Sequence, residues 1–529
     1  MKEHARVGGR ERATKRIVCC CVLLLGAAGT ATAANEETLV DAAEQGNGAL
    51  VGALLDKGAD VDARQIDGMT ALHWAAYRDD TDMAALLVRA GANVDAENAY
   101  GVPPISLAAT NANADIVTLL LDAGANPNAT LHGGETVLMT AARAGSAEAV
   151  RALLAKGADP NAREERDQTA LMWAAAEGHA DVVDALLGAH ADLHAQLKSG
   201  FTPLFFAARE GHIEVVRRLL QAGGDVNEPL QRAKDAPDPA VNNASYRPVD
   251  DGISLLLMAV RNGHFDLAIE LVKAGADPND QRSGFGPLHT ISWVRKPDKS
   301  DRGDPAPIGS GNLTSLEFVR ELVKLGADVN LRLADGAPRQ PNSGSRLRSA
   351  GATPFLLAAD RADVALMRLL LELGADPFIT NLDNSTALMA AAGLGTTAPE
   401  EEAGTEAEAL IVTRLMLDLG ADVNAINNEG ETAMHAAASG GFPTVVQLLA
   451  ERGADIAIWN QKNYWGSTPL FIAEGYREGG GRRSPATIDA LVKLMASAGV
   501  STDGERPGIV DIYARPATPP APPANRALR

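Results

Sequence analysis

Three residues have the types and spacing for metal chemistry. His190, Asp192 and His194 fall within five positions of "LLGAHADLHA". Two imidazoles and a carboxylate on one turn reach a common ion if the loop folds favourably, but a zinc site needs more ligands than one turn supplies. The sequence places no further ligand, so the plainer reading, two surface histidines in a drifted segment, is preferred. Asp recurs after Gly-Ala along the chain. That recurrence reads as turn chemistry, not as calcium-binding loops. No G-x-S-x-G, H-E-x-x-H, phosphate-binding loop or G-x-G-x-x-G fingerprint occurs. No catalytic, cofactor-binding or metal-binding residue is assigned, and a non-enzymatic protein is expected.

The elements around those residues recur. "GADVDARQIDGMTALHWAA" (58–76) returns as "GADPNAREERDQTALMWAA" (157–175) and "GADVNAINNEGETAMHAAA" (420–438). The Thr of G-x-T-x-L serves as a ruler. It falls at Thr38, Thr70, Pro103, Thr136, Thr169, Thr202, Ser254, Gly286, Thr353, Thr386, Thr432 and Thr468, which defines twelve units with a period near 33. A fixed period of that length is the mark of a solenoid. Each unit predicts two helices. Thr70 caps the first, and Pro203, Pro354 and Pro469 occupy first helical positions, where a missing N–H costs nothing. Gly178-His179, Gly211-His212 and Gly263-His264 mark the turn between helices. "DVVDALL" and "IEVVRRLL" carry apolar residues at helical spacing. Gly58, Gly91, Gly124 and Gly157 end second helices, and Asp67-Gly68 suits a hairpin-like turn to the next unit.

The stretch "DGMTALHWAA…LLVRAGANVDAEN" resembles the ankyrin repeat, and the resemblance covers roughly residues 36 to 504. It implies an all-α ankyrin-repeat solenoid of about twelve helix-turn-helix units with β-hairpin-like turns. It also implies protein binding through the concave helices and turn tips. Some positions depart from the pattern. The His of T-P-L-H survives as His73, His289 and His435, with Met139, Met172, Phe205 and Met389 among the replacements. His190 replaces the glycine expected at a helix end, which predicts strain there. The first unit and the helix at 489–500 are expected to cap the array.

By repeat position, Trp74, Trp173 and Trp293 fall on the exposed inner side of first helices, while Trp459, Tyr464 and Trp465 fall on the last hairpin. Phe206 and Met258 share the position of Trp74 and Trp173. Tyr77, Arg78, Arg143, Arg209 and Arg261 complete the candidate protein-binding set. Exposed aromatics with arginine have the composition of an interface hot spot. The plainer reading is that the aromatics pack on one another between repeats; the interface reading is preferred. An acidic partner segment would complement the arginines.

The chain has 529 residues and a net charge of −20. Six basic and two acidic residues lie before Ala34, which leaves −24 on the rest. So acidic a body argues against nucleic-acid binding. Lys2, Arg6, Arg10, Arg12, Lys15 and Arg16 precede an apolar run and an Ala31-Thr32-Ala33 cleavage pattern. Residues 1–33 therefore read as a secretory signal peptide. The run is short for a membrane anchor. The only cysteines, Cys19, Cys20 and Cys21, would leave with the leader.

Residues 34–504 are expected as the solenoid and 505–529 as a disordered Pro/Ala tail. Insertions at 230–251, 296–312, 331–350, 395–406 and 476–485 are rich in Pro, Gly and charge. They read as surface loops, decorative in the preferred reading and partner-specific in the alternative. The expectation is a bacterial, monomeric scaffold in the periplasm or secreted, binding a protein or peptide, with no cofactor and no stable membrane insertion. Two alternatives remain: a secreted effector binding a host protein, and an enzyme or metal-binding protein built on the irregular units near 285–350.

Overall fold

The computed structural model describes residues 37–232, 252–297, 306–335, 337, 347–396, 404–476 and 482–507. The leader, residues 233–251, 298–305, 336, 338–346, 397–403 and 477–481 within the insertions, and the tail beyond 507 lie outside the described residues. The chain forms two compact bodies, 1–93 and 94–529.

All twelve ruler positions are helix N-caps. In ten of them the side-chain hydroxyl of the cap residue itself, Thr38, Thr70, Thr136, Thr169, Thr202, Ser254, Thr353, Thr386, Thr432 or Thr468, accepts a first-turn backbone N–H. Pro103 and Gly286 cap without a side-chain bond. The helices are short, mostly seven to nine residues, and such lengths are marginal in isolation. Packing between neighbours must hold them.

Among the described residues the first body holds two helix pairs, Leu39–Glu44 with Gly48–Asp56 and Ala71–Tyr77 with Thr81–Arg89. Among those of the second body are ten further pairs and one extra turn of helix, Ile456–Trp459. In the second body each first helix packs on the first helix of the next repeat, from Pro104–Thr110 to Pro469–Ala473. The second helices form the other layer. The core lies between layers, where Leu171, Ala174, Ala175, Val182, Val183 and Leu186 of one repeat are all buried. Alanines at these sites let helices approach closely.

Between repeats the chain reverses in turns closed by backbone bonds, such as Leu131 N–H to the Glu135 carbonyl at 2.8 Å. Among the described residues these turns form only isolated bridges, Thr130 with Thr136 and Pro229 with Ser254. The Asp after Gly-Ala closes the turn on itself: Asp159 Oδ1 accepts the Asn161 N–H at 2.8 Å. The Asn two residues later ties repeats together. Asn161 Nδ2 donates to the His190 carbonyl at 3.1 Å, and its Oδ1 accepts the Asp192 N–H at 2.7 Å. Asn128, Asn227, Asn279, Asn330 and Asn424 repeat that double bond.

His190 has φ 62°, left-handed like the glycines at equivalent helix ends, as its replacement of glycine predicts. The described margins of two insertions are less superficial than expected. Leu230, Leu333, Leu347 and Ala350 are buried. Leu333 N–H donates to the Ala352 carbonyl and Gly351 N–H to the Leu333 carbonyl, so the ends of the insertion at 331–350 enter the core as a bridge.

Candidate interaction surface

Counting from each cap sorts the candidate residues into rows. Four residues on stand Trp74, Trp173, Phe206 and Met258; seven on stand Tyr77, Arg143, Arg209, Arg261 and Trp293. Helical geometry puts these two rows side by side on each first helix.

In the first body Trp74 and Tyr77 meet edge to face at 5.7 Å. Trp74 Nε1 donates to Gln65 Oε1 at 2.9 Å, and Gln65 Nε2 donates to Glu44 Oε2 at 2.7 Å. Tyr77 is exposed, and Arg78 donates to the Glu44 carbonyl at 3.1 Å.

In the second body the Arg143 guanidinium lies 5.1 Å from the centre of the half-buried Trp173 ring and pairs with Glu135 at 2.8 Å. The Arg209 guanidinium lies 5.2 Å from both Phe201 and Phe206 and pairs with Glu210 at 2.8 Å. Such contacts contribute roughly 0.5–1 kcal/mol each at half-exposed sites.

The residue just before the cap thus meets the residue seven after it in the same repeat. Glu135 meets Arg143, Phe201 meets Arg209, and Phe285 meets Trp293 at 4.9 Å. Sequence reasoning missed this coupling, although a constant spacing of eight would have exposed it.

The expected exposure needs correction at four positions. Phe206 is 7% exposed, Met258 6%, Trp293 8% and Trp459 2%. Phe206 lies under Arg209 and Phe201, and Trp293 is covered by Phe285. Trp459 ends the extra helical turn and turns inward. Trp293 and Trp459 therefore belong to the core. Tyr464 and Trp465 stay partly exposed as an edge-to-face pair at 4.9 Å. The arginine row is also less free than its charge implies, because Arg143 and Arg209 already hold carboxylates.

A set of histidines fixes the backbone under this row. His179 Nε2 donates to the Arg143 carbonyl at 3.1 Å, His212 to Ala176 at 3.0 Å, and His264 to Arg209 at 2.8 Å. Each ring rests on the turn glycine of the repeat before. A Cβ on Gly178, whose φ is 82°, would come within 2.6 Å of the His212 ring. The sequence reading took these Gly-His pairs as turns alone.

The His190, Asp192 and His194 cluster resolves into the repeat's turn. Asp192 Oδ1 accepts the His194 N–H at 2.9 Å, as its counterparts do in other repeats. Among the described residues no three His, Cys, Asp or Glu gather as a metal site. No described helix is long and apolar enough to cross a membrane.

Comparison with known families matches "Ankyrin repeats (3 copies)" at residues 39–131, 138–230, 182–282 and 403–482, and "Ankyrin repeat" at 350–382. These matches span more than half of the chain, and the chain belongs to the ankyrin-repeat family. The crystal structure of the human ASB11 ankyrin repeat domain is similar at 25% identity with a TM-score of 0.35, over 42% of this chain and 90% of that one. No curated protein matches the chain. The fold is an all-α ankyrin solenoid, and its repeats mark an interaction scaffold for proteins.

Proposed function

We propose that the chain is a non-enzymatic scaffold, exported to the periplasm or secreted, that holds one protein partner on its first-helix face. In the second body the contact is centred on Arg143 with Trp173 and on Arg209 with Phe201. The observation that carries this reading is the pair of half-exposed arginines stacked on aromatic rings, each backed by a histidine-braced carbonyl. Stacking and bracing remove side-chain freedom before binding, which lowers the entropic cost of association. The partner presents a flat apolar group with an acceptor at its rim. Export rests on the basic, apolar and Ala-x-Ala order of residues 1–33.

The experiment is a pull-down with the full chain beside Trp173→Ala and Arg209→Ala variants, each checked for unchanged helicity. Loss of one retained protein in both folded variants supports the reading. Equal retention by all three places binding elsewhere. N-terminal sequencing of the chain recovered from the expressing cells tests export, and an intact Met1 sinks it.

A further inference from the structure

The insertion after Trp293 ends in a described strap, residues 306–314, that reaches back over the two preceding repeats. Ser310 N–H donates to His264 Nδ1 at 3.0 Å, and the Ser310 hydroxyl reaches the Gly211 carbonyl at 3.3 Å. Gly309 sits so close to Gly263 that a Cβ on it would strike the Gly263 backbone. Asp266 Oδ2 accepts N–H groups from Asn312 and Leu313, at 2.5 and 3.0 Å.

The two nitrogens of His264 have opposite duties. Nε2 faces the Arg209 carbonyl at 2.8 Å and must carry a proton. Nδ1 faces a backbone N–H and must carry a lone pair. Only the neutral imidazole meets both demands. Among the described residues its counterparts His179 and His212 make the Nε2 bond alone.

We infer that the 306–314 strap is a proton-released latch, docked while His264 is neutral and undocked at its Ser310 end when the ring is protonated. A second ring proton places two donors against each other across 3.0 Å. The Ser310 hydroxyl, 2.9 Å from Nδ1, can turn a lone pair to the new N–H. That returns part of the loss but leaves the Ser310 amide facing a donor.

The charged groups around the ring are Arg209, Glu210 and His212 from the sixth repeat and Asp266 from its own helix. The described strap contributes none. The helix Ser315–Lys324 makes no hydrogen bond to the ring among the described residues. Burial pushes the His264 imidazole below its ordinary value, against the Arg209 carbonyl and Glu210 and together with His212. Docking is therefore fully favoured above the ordinary histidine value of 6.5 and weakens as pH falls towards the docked value. Release uncovers the Gly211 turn, two residues from Arg209, so acidity acts on the backbone that carries the interaction row.

The test is hydrogen exchange on the full chain, read on peptides covering 306–314 and corrected for intrinsic rates at each pH. The parent and His264→Gln, which offers an acceptor and does not titrate, are compared between pH 7.5 and 5. In the parent, protection of the strap falls as pH drops below 6.5 and levels off once the docked value is passed. The helix Phe265–Lys273 keeps its protection over the same range, which separates undocking from unfolding. The fall is absent in His264→Gln. A pH-independent strap in the parent, or an equal fall in the variant, overturns the inference.

Discussion

His289 Nδ1 is turned towards Gly286, and among the described residues nothing donates to it. In the second repeat the same nitrogen, on His73, takes the Thr70 N–H at 3.1 Å and lies 2.8 Å from the Thr70 hydroxyl. Gly286 replaces that Thr, so a fully buried acceptor is orphaned. Its φ of −87° suits any L-residue, and a Cβ there would stand 3.2 Å from Nδ1. Gly286→Ser is expected to stabilise the protein by about 1 kcal/mol, a few tenths from capping and the rest from pairing the orphan. The urea midpoint should rise. An unchanged or lower midpoint would mean that crowding against Leu331, 3.4 Å away, outweighs the new bond.

Two histidines make the second body sensitive to acid. Burial pushes the imidazoles of His289 and His435 down to about 4, against carbonyl partners that favour the charged form. Both rings are neutral in the fold and protonate more readily once unfolded. Their contribution is fully present above the unfolded value of 6.5, is lost as pH falls, and is exhausted near 4. The size is about 3 kcal/mol for each ring. The expected observation is a falling urea midpoint between pH 6.5 and 4.5, with a shallower slope in a His289→Gln/His435→Gln chain. Equal slopes in the two chains would refute the assignment.

The caps and turns were legible in the sequence because they are local. A Thr followed by Ala-Leu declares its N-terminus without reference to any neighbour, and a glycine at a helix end declares a left-handed residue. Even the strain at His190 followed from counting. What the sequence hid was exposure. Trp293 occupies a row where other repeats carry arginine, and only Phe285, eight residues earlier, decides that it is covered. Trp459 looks like a hairpin residue until the extra helical turn rotates it inward. The histidine braces were invisible for another reason. They join a ring to a carbonyl 36 residues away, and backbone carbonyls leave no trace in a residue pattern.

The irregular eighth repeat is stapled by charge. Arg295 Nε donates to Asp363 Oδ2 at 2.7 Å and Nη2 to Oδ1 at 3.2 Å, while Nη1 bonds the Ser315 hydroxyl. Lys296, one residue on, reaches Glu408 at 2.7 Å in the tenth repeat. The Asp363 side chain is only 4% exposed and also caps the helix Val364–Glu372. Removing Arg295 leaves that carboxylate buried with one remaining backbone donor, a change that costs about 3 kcal/mol in comparable buried pairs. Arg320 and Glu372 form a pair of the same length, 2.7 Å, with side chains 48% and 58% exposed. Water screens that pair, and its loss costs below about 1 kcal/mol. Arg295→Ala should therefore lower the urea midpoint several times more than Arg320→Ala. The gap should persist in high salt, because screening reaches the exposed pair and not the buried one. Similar losses from the two substitutions would show that the eighth repeat is held by its apolar contacts and not by this pair.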